Sequence, residues 1–226
     1  NFEIKLIDVD DNVWWHRRLS VTFPKNWEAQ HLRRRHFTYA WGPSKKPAIR
    51  RLKAIEFTVA SGTGGRGRIM LDNLRFEPID DAVAQNARAS ITTSSPGTTG
   101  RAPAADQPGT VITDWTASAP TAGEWLAVNF GHLREVGALV LDWAPGAHAT
   151  AYDVLLSADG QKWTTAASAT RGNGGRDYLY LPEQQGRWLK LVVRATATGQ
   201  AVSLARLEVK GPEAGMNENA FFQIVA

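Results

Sequence analysis

Nine tryptophans stand in a chain of 226 residues that contains no cysteine. An indole ring gives the apolar face of a sugar a flat surface to stack on, so recognition chemistry comes first. Trp14 and Trp15 are adjacent, and neighbouring residues of a strand point to opposite faces. One ring is therefore expected in a core and the other as a platform beside His16, Arg17 and Arg18. A second, polar set lies in the turn-rich stretches 145–150 and 171–177, which supply His148, Arg171, Asn173, Arg176 and Asp177. These groups donate to and accept from sugar hydroxyls, with arginine offering a planar fork. Gly172, Gly174 and Gly175 make that loop sharply turned or mobile. A solvated loop with no ligand is the alternative.

Catalysis is not expected within this chain. Glycosidic hydrolysis needs a positioned pair of carboxylates, and no spacing singles out such a pair. His16, His31, His36, His132 and His148 show no metal-ligand spacing, and no phosphate loop, nucleophile elbow or dinucleotide fingerprint occurs. The absence of cysteine removes disulfides, thiol nucleophiles and thiolate metal sites.

The formal net charge is +4, with a sequence pI near 9.5, and the excess is concentrated in the first quarter of the chain. Arg33, Arg34 and Arg35 are its densest run. A strand would divide adjacent arginines between two faces, so a solvated rim, or salt bridges to the missing part of the domain, is expected rather than a nucleic-acid or anionic-polysaccharide partner. No stretch approaches the ~20 apolar residues that a transmembrane helix needs.

Period-two alternation sets the elements. Phe2, Ile4 and Leu6; Leu19, Val21 and Phe23; Phe37, Tyr39 and Trp41; and Ile55, Phe57 and Val59 each alternate with polar or small residues. A further strand is expected over 68–76. Five strands are fewer than a complete jelly roll of about eight. Residues 1–79 are therefore expected to be part of a sandwich whose other strands precede residue 1, or else a small sheet completed by packing on the second domain. Residues 80–109 read as a linker and first loop, rich in Ala, Ser, Thr, Gly and Pro. Strand patterns return at 125–130, 136–143, 152–157, 178–181, 187–194 and 203–209, indicating an antiparallel sandwich over 110–211. The tail 212–226, with Phe221, Phe222, Ile224 and Val225, is expected to begin a helix leading to a further, missing domain.

Several pieces of the second half resemble the discoidin, or coagulation factor 5/8 C-type, family, whose fold family-32 carbohydrate-binding modules share. They are Thr113-Asp114-Trp115, the run from Glu124 to Gly131, Leu139 to Trp143 with Ala151 to Val154, Ser157 to Trp163, Arg187 to Leu191, and Ser203 to Val209. The run Phe2 to Asp8, the segment Asp11 to Trp15, Ala54 to Val59 and Ile69 to Phe76 are similar to part of a galactose-binding-like sandwich. The resemblance implies an all-β chain of two β-sandwich (jelly-roll, galactose-binding-like) domains, the first incomplete. It implies loops at one end that bind glycan, placing His148, Arg171, Asn173, Arg176 and Asp177 there. It also implies that Trp115, Trp125, Trp143, Trp163 and Trp188 are framework residues filling the core.

A structural calcium is found in relatives. Asp106, Asp114 and Glu208 are the residues here that could serve it, as calcium takes several oxygen ligands. Arg206 stands where an acid is expected and can replace the cation's charge, so a metal-free module without cofactor is the main expectation. The resemblance finally implies a non-catalytic carbohydrate-binding fragment of a larger bacterial modular protein, secreted or periplasmic. Its partners would be a glycan and other domains of that parent. The alternative is a pair of structural or protein-interaction sandwiches that pack on a glycosidase catalytic domain without binding glycan.

Overall fold

The computed structural model describes residues 1–45, 48–49, 51–60, 62, 67–77, 88–94, 104–105, 111–197 and 199–225. The chain divides into two compact units, Asn1–Arg75 and Phe76–Ala226.

In the first unit, β1 (Phe2–Asp8), β2 (Val13–Arg18), β3 (Thr38–Trp41) and β4 (Leu52–Val59) form one antiparallel sheet in the order β3-β2-β1-β4. The β1–β2 turn is fastened by the buried Asp8 carboxylate, which accepts from the backbone N–H groups of Asp10 and Asn12 at 2.9 and 2.8 Å. Leu6, Val13 and Trp14 are its buried apolar residues. Two expected strands are absent: residues 19–23 and 68–76 carry no strand, and Leu19, Met70, Leu71, Leu74 and Phe76 are exposed. Alternation made those segments suited to a sheet surface, but strand formation also needs a partner edge, and none is paired with them.

The sheet of the second unit opens at Ser90. β5 (Ser90–Thr93) lies inside the stretch read as linker and first loop, and pairs antiparallel with residues 126–129. β6 (Ala104–Ala105), β7 (Val111–Thr116), β8 (Trp125–Trp143), β9 (Ala149–Ser157), β10 (Thr164–Ala169), β11 (Arg176–Thr196) and β12 (Ser203–Lys210) follow. Two pairs of expected strands are in fact single long ones. β8 and β11 run through both layers of the sandwich and pair with each other along their length. Their register breaks between Tyr180 and Gln184 and between Gly186 and Trp188. Gly131 (φ 79°) and Glu183 (φ 58°) take the left-handed conformation there, and Pro182 has no N–H to give the ladder. Such bulges bend a strand from one sheet to the other. One layer is thus β10-β9-β11-β8-β5, and the other carries β8 and β11 onward beside β12, β7 and β6.

Between the layers, Ile112, Trp115, Leu126, Phe130, Leu139, Leu141, Tyr152, Leu189 and Leu191 are fully buried or nearly so. The tail folds back on this unit. Helix α1 (Glu218–Val225) opens on Asn217, whose side chain accepts from the Ala220 N–H at 2.9 Å. Its Phe221 and Val225 pack with Ala138, Val140 and Ala214 in a second, smaller cluster.

Candidate functional site

Two backbone approaches assemble the loop end of the second unit. The Gly172 N–H donates to the Thr150 carbonyl at 2.8 Å, and the Trp143 N–H donates to the Gly175 carbonyl at 2.8 Å. Loop 170–175 thereby lies against the start of β9. A Cβ on Gly172 would collide with the Ala149 carbonyl oxygen, and one on Gly174 (φ 80°) would sit 2.9 Å from His148 Nδ1. The glycines therefore allow the close approach that brings His148 beside the loop bearing Arg171 and Asn173, both exposed. The 144–148 turn is held in place by the Ala197 N–H, which donates to the His148 carbonyl at 3.1 Å, and by the Ser203 N–H, which donates to that of Ala147 at 2.8 Å.

The next two candidates are engaged by the framework. Arg176 forms a forked pair with Asp142, Nε to Oδ1 at 2.5 Å and Nη2 to Oδ2 at 3.1 Å. That pairing, and then Tyr178, favour the charged guanidinium. Tyr178 is 43% exposed on the strand leaving the loop, two residues from Arg176. Asp177 faces inward: its Oδ2 accepts from Trp143 Nε1 and from the Tyr152 hydroxyl, each at 2.8 Å. Burial, reinforced by Asp177, pushes the Tyr152 phenol well above its ordinary range, so it remains a donor. Asp177 thus positions the loop base, while His148, Arg171, Asn173 and Tyr178 form the outward surface. Tyr178 escaped the sequence reading; its alternation with the inward Asp177 and Leu179 was the available signal.

In the first unit, Trp14 is the core ring and Trp15 the ring on the other face. Arg17 lies over Trp15 at 5.1 Å from its centroid and pairs with Glu3 at 3.1 Å. Of the metal candidates, Asp106 lies outside the described residues. Asp114 takes a left-handed φ of 64° within β7, and Glu208 pairs with Arg206 at 2.9 Å and Lys210 at 2.6 Å. No cluster of three metal-ligating side chains occurs among the described residues.

The five framework tryptophans separate into two groups. Trp115 and Trp143 are core, at 1% and 4% exposure. Trp125, Trp163 and Trp188 are half-buried and lie outside the core cluster. Strand alternation gives the reason for Trp125 and Trp188, because Leu126, Val128, Leu189 and Leu191 take the inward positions beside them.

The loop geometry yields a direct expectation. Gly174→Ala forces an L residue into a left-handed φ and against the His148 ring, so ligand affinity at this end should fall at least fivefold. Global stability should change by no more than about 1–2 kcal/mol. Calorimetric titration beside thermal unfolding separates the two effects.

The F5/8 type C domain profile matches residues 90–208. No curated protein sequence matches the chain. Among solved structures, chitosan-binding module 2 of a chitosanase/glucanase from Paenibacillus sp. IK-5, in complex with chitotriose, is 25% identical with a TM-score of 0.47. The match covers 57% of this chain and 99% of that one. Module 1 of the same enzyme is 25% identical, with a TM-score of 0.45 and coverage of 57% and 98%. CpGH89CBM32-6 of Clostridium perfringens is 14% identical, with a TM-score of 0.44 and coverage of 57% and 98%.

Proposed function

The chain belongs to the F5/8 type C domain family through residues 90–208, and from that premise we propose that it is a non-catalytic carbohydrate-binding part of a larger modular protein. In this reading its second unit holds a bacterial, secreted or periplasmic carbohydrate-active parent on a glycan. The observation that carries the reading is the loop-end surface. There an exposed aromatic ring, Tyr178, stands two residues from the Arg176–Asp142 pair. His148 is held against the adjoining loop, which displays Arg171 and Asn173. Ring stacking and hydrogen bonding to hydroxyls need this combination of a flat apolar face and fixed donors and acceptors. Affinity at such a site should be modest, association entropy offsetting much of the contact energy.

A second reading has its own observation. In the first unit Trp27, Met70 and Leu74 are 66–70% exposed, which favours contact with other domains of the parent. The two readings make different demands on the second unit. A glycan-array screen of the full chain, with Arg171→Ala and Asn173→Ala beside it, tests the first. Binding to a defined glycan class that weakens about tenfold in Arg171→Ala supports it, since one charge-assisted hydrogen bond is worth roughly that much. No binding across neutral and acidic glycans leaves the interaction reading.

A further inference from the structure

The centre of the outer face of the β10-β9-β11-β8-β5 layer carries a group of side chains that neither the core nor the loop end uses. Trp188 and Lys190 are two residues apart on β11 and share the outward face, since Leu189, Leu191 and Val193 are buried beneath. Lys190 pairs with Ala127 of β8 and Leu155 of β9, and Val192 pairs with Trp125, so Trp125 stands diagonally from Lys190. Trp163, at the end of the turn leading into β10, completes the group. The Lys190 ammonium lies 4.3 Å from the Trp125 ring centroid and 5.0 Å from that of Trp163. The flanking polar groups are Arg187, whose Nε donates to Asn129 Oδ1 at 3.3 Å, and Arg194, which pairs with Asp153 at 2.7 Å.

Charge balance distinguishes Lys190 from its neighbours. Asp153 takes hydrogen bonds from Ser168 and from Arg194, which together hold its carboxyl below the usual range and commit it locally. Among the described residues no carboxylate pairs with Lys190. A half-buried ammonium between two indoles, with no counter-charge among the described residues, lies on a face of mid-sheet strands rather than at an edge.

We propose that this face is a second saccharide site, specific for an acidic sugar of the hexuronate type. The sugar ring stacks on Trp125 or Trp163, and its carboxylate supplies an anion that the described residues do not give Lys190. A neutral sugar would cover the ammonium and remove its water without offering a charge. A cationic amino sugar would add like-charge repulsion. The expected order is acidic, then neutral, then cationic. The choice of a saccharide rests on the carbohydrate-binding reading above, but the site and its selectivity are independent of the loop end.

Calorimetric titration of the full chain with trigalacturonate, its methyl ester and chitotriose tests this. Trigalacturonate should bind at least tenfold more tightly than the ester, with affinity falling as salt rises. Lys190→Gln and Trp163→Ala should each weaken it at least tenfold. Lys25→Gln, which removes the same charge from the first unit, should leave it unchanged. Failure of trigalacturonate to bind overturns the proposal, as does undiminished binding by Lys190→Gln and Trp163→Ala, which would assign the interaction to net charge. A chain that binds array glycans but not trigalacturonate sinks this site and leaves the loop end standing. One that binds trigalacturonate through Lys190, yet loses no array glycan in Arg171→Ala, sinks the loop-end reading alone.

Discussion

Replacing Asp177 by alanine should destabilise the second unit by about 2–5 kcal/mol, because two buried donors lose their acceptor together. Trp143 Nε1 and the Tyr152 hydroxyl both end on the same oxygen, and those residues are 4% and 1% exposed. Both donors belong to buried residues, so each would keep much of its desolvation penalty. At roughly 2–4 °C per kcal/mol for a unit of this size, Tm should fall by on the order of 10 °C. Asp177→Asn retains an amide oxygen at the same reach and should recover most of that loss. Glycan affinity should follow stability across the two variants. A direct ligand contact would behave differently, Asp177→Asn then losing binding while remaining stable.

Gly137→Ala should detach the C-terminal segment from the sandwich. A Cβ at this position would overlap the Gly211 carbonyl oxygen and lie 2.5 Å from the Gly215 nitrogen. Both are backbone atoms, so no side chain can swing aside. The strand or the turn preceding α1 must move, and Phe221 and Val225 then leave Ala138 and Val140. Overpacking of this kind costs about 1–3 kcal/mol, and exposure of Phe221 adds roughly 1.5–3 kcal/mol if the helix departs. Hydrogen exchange should show lost protection across α1 with β8, β9 and β11 unchanged at their centres. Full protection of α1 in the variant would contradict this packing.

The sandwich was legible in the sequence because alternation and turn residues mark most of its strands. The continuity of β8 was not, since His132, Arg134 and Glu135 interrupt its apolar pattern. In the structure it is the bend by which one strand serves two layers. The same period of two held further information about facing. Leu126, Val128 and Phe130 are inward, which turns Trp125 outward; Leu179 and Leu181 lie on the inner side, which takes Asp177 with them. Residue type argued otherwise in each case, tryptophan for core and aspartate for a solvent-exposed loop. Alternation was the better guide. At the loop end, His148, Arg171 and Asn173 were readable from loop composition, whereas their proximity depends on Gly172 and Gly174 contacts between segments distant in sequence.

The most direct test of carbohydrate recognition at the loop end is an amide chemical-shift titration of the full chain with the glycan identified on the array. Saturable shifts should cluster at 145–150, 171–175 and Tyr178, with Gly172 and His148 among the largest. Shifts confined to the first unit, or none that saturate, would contradict the account.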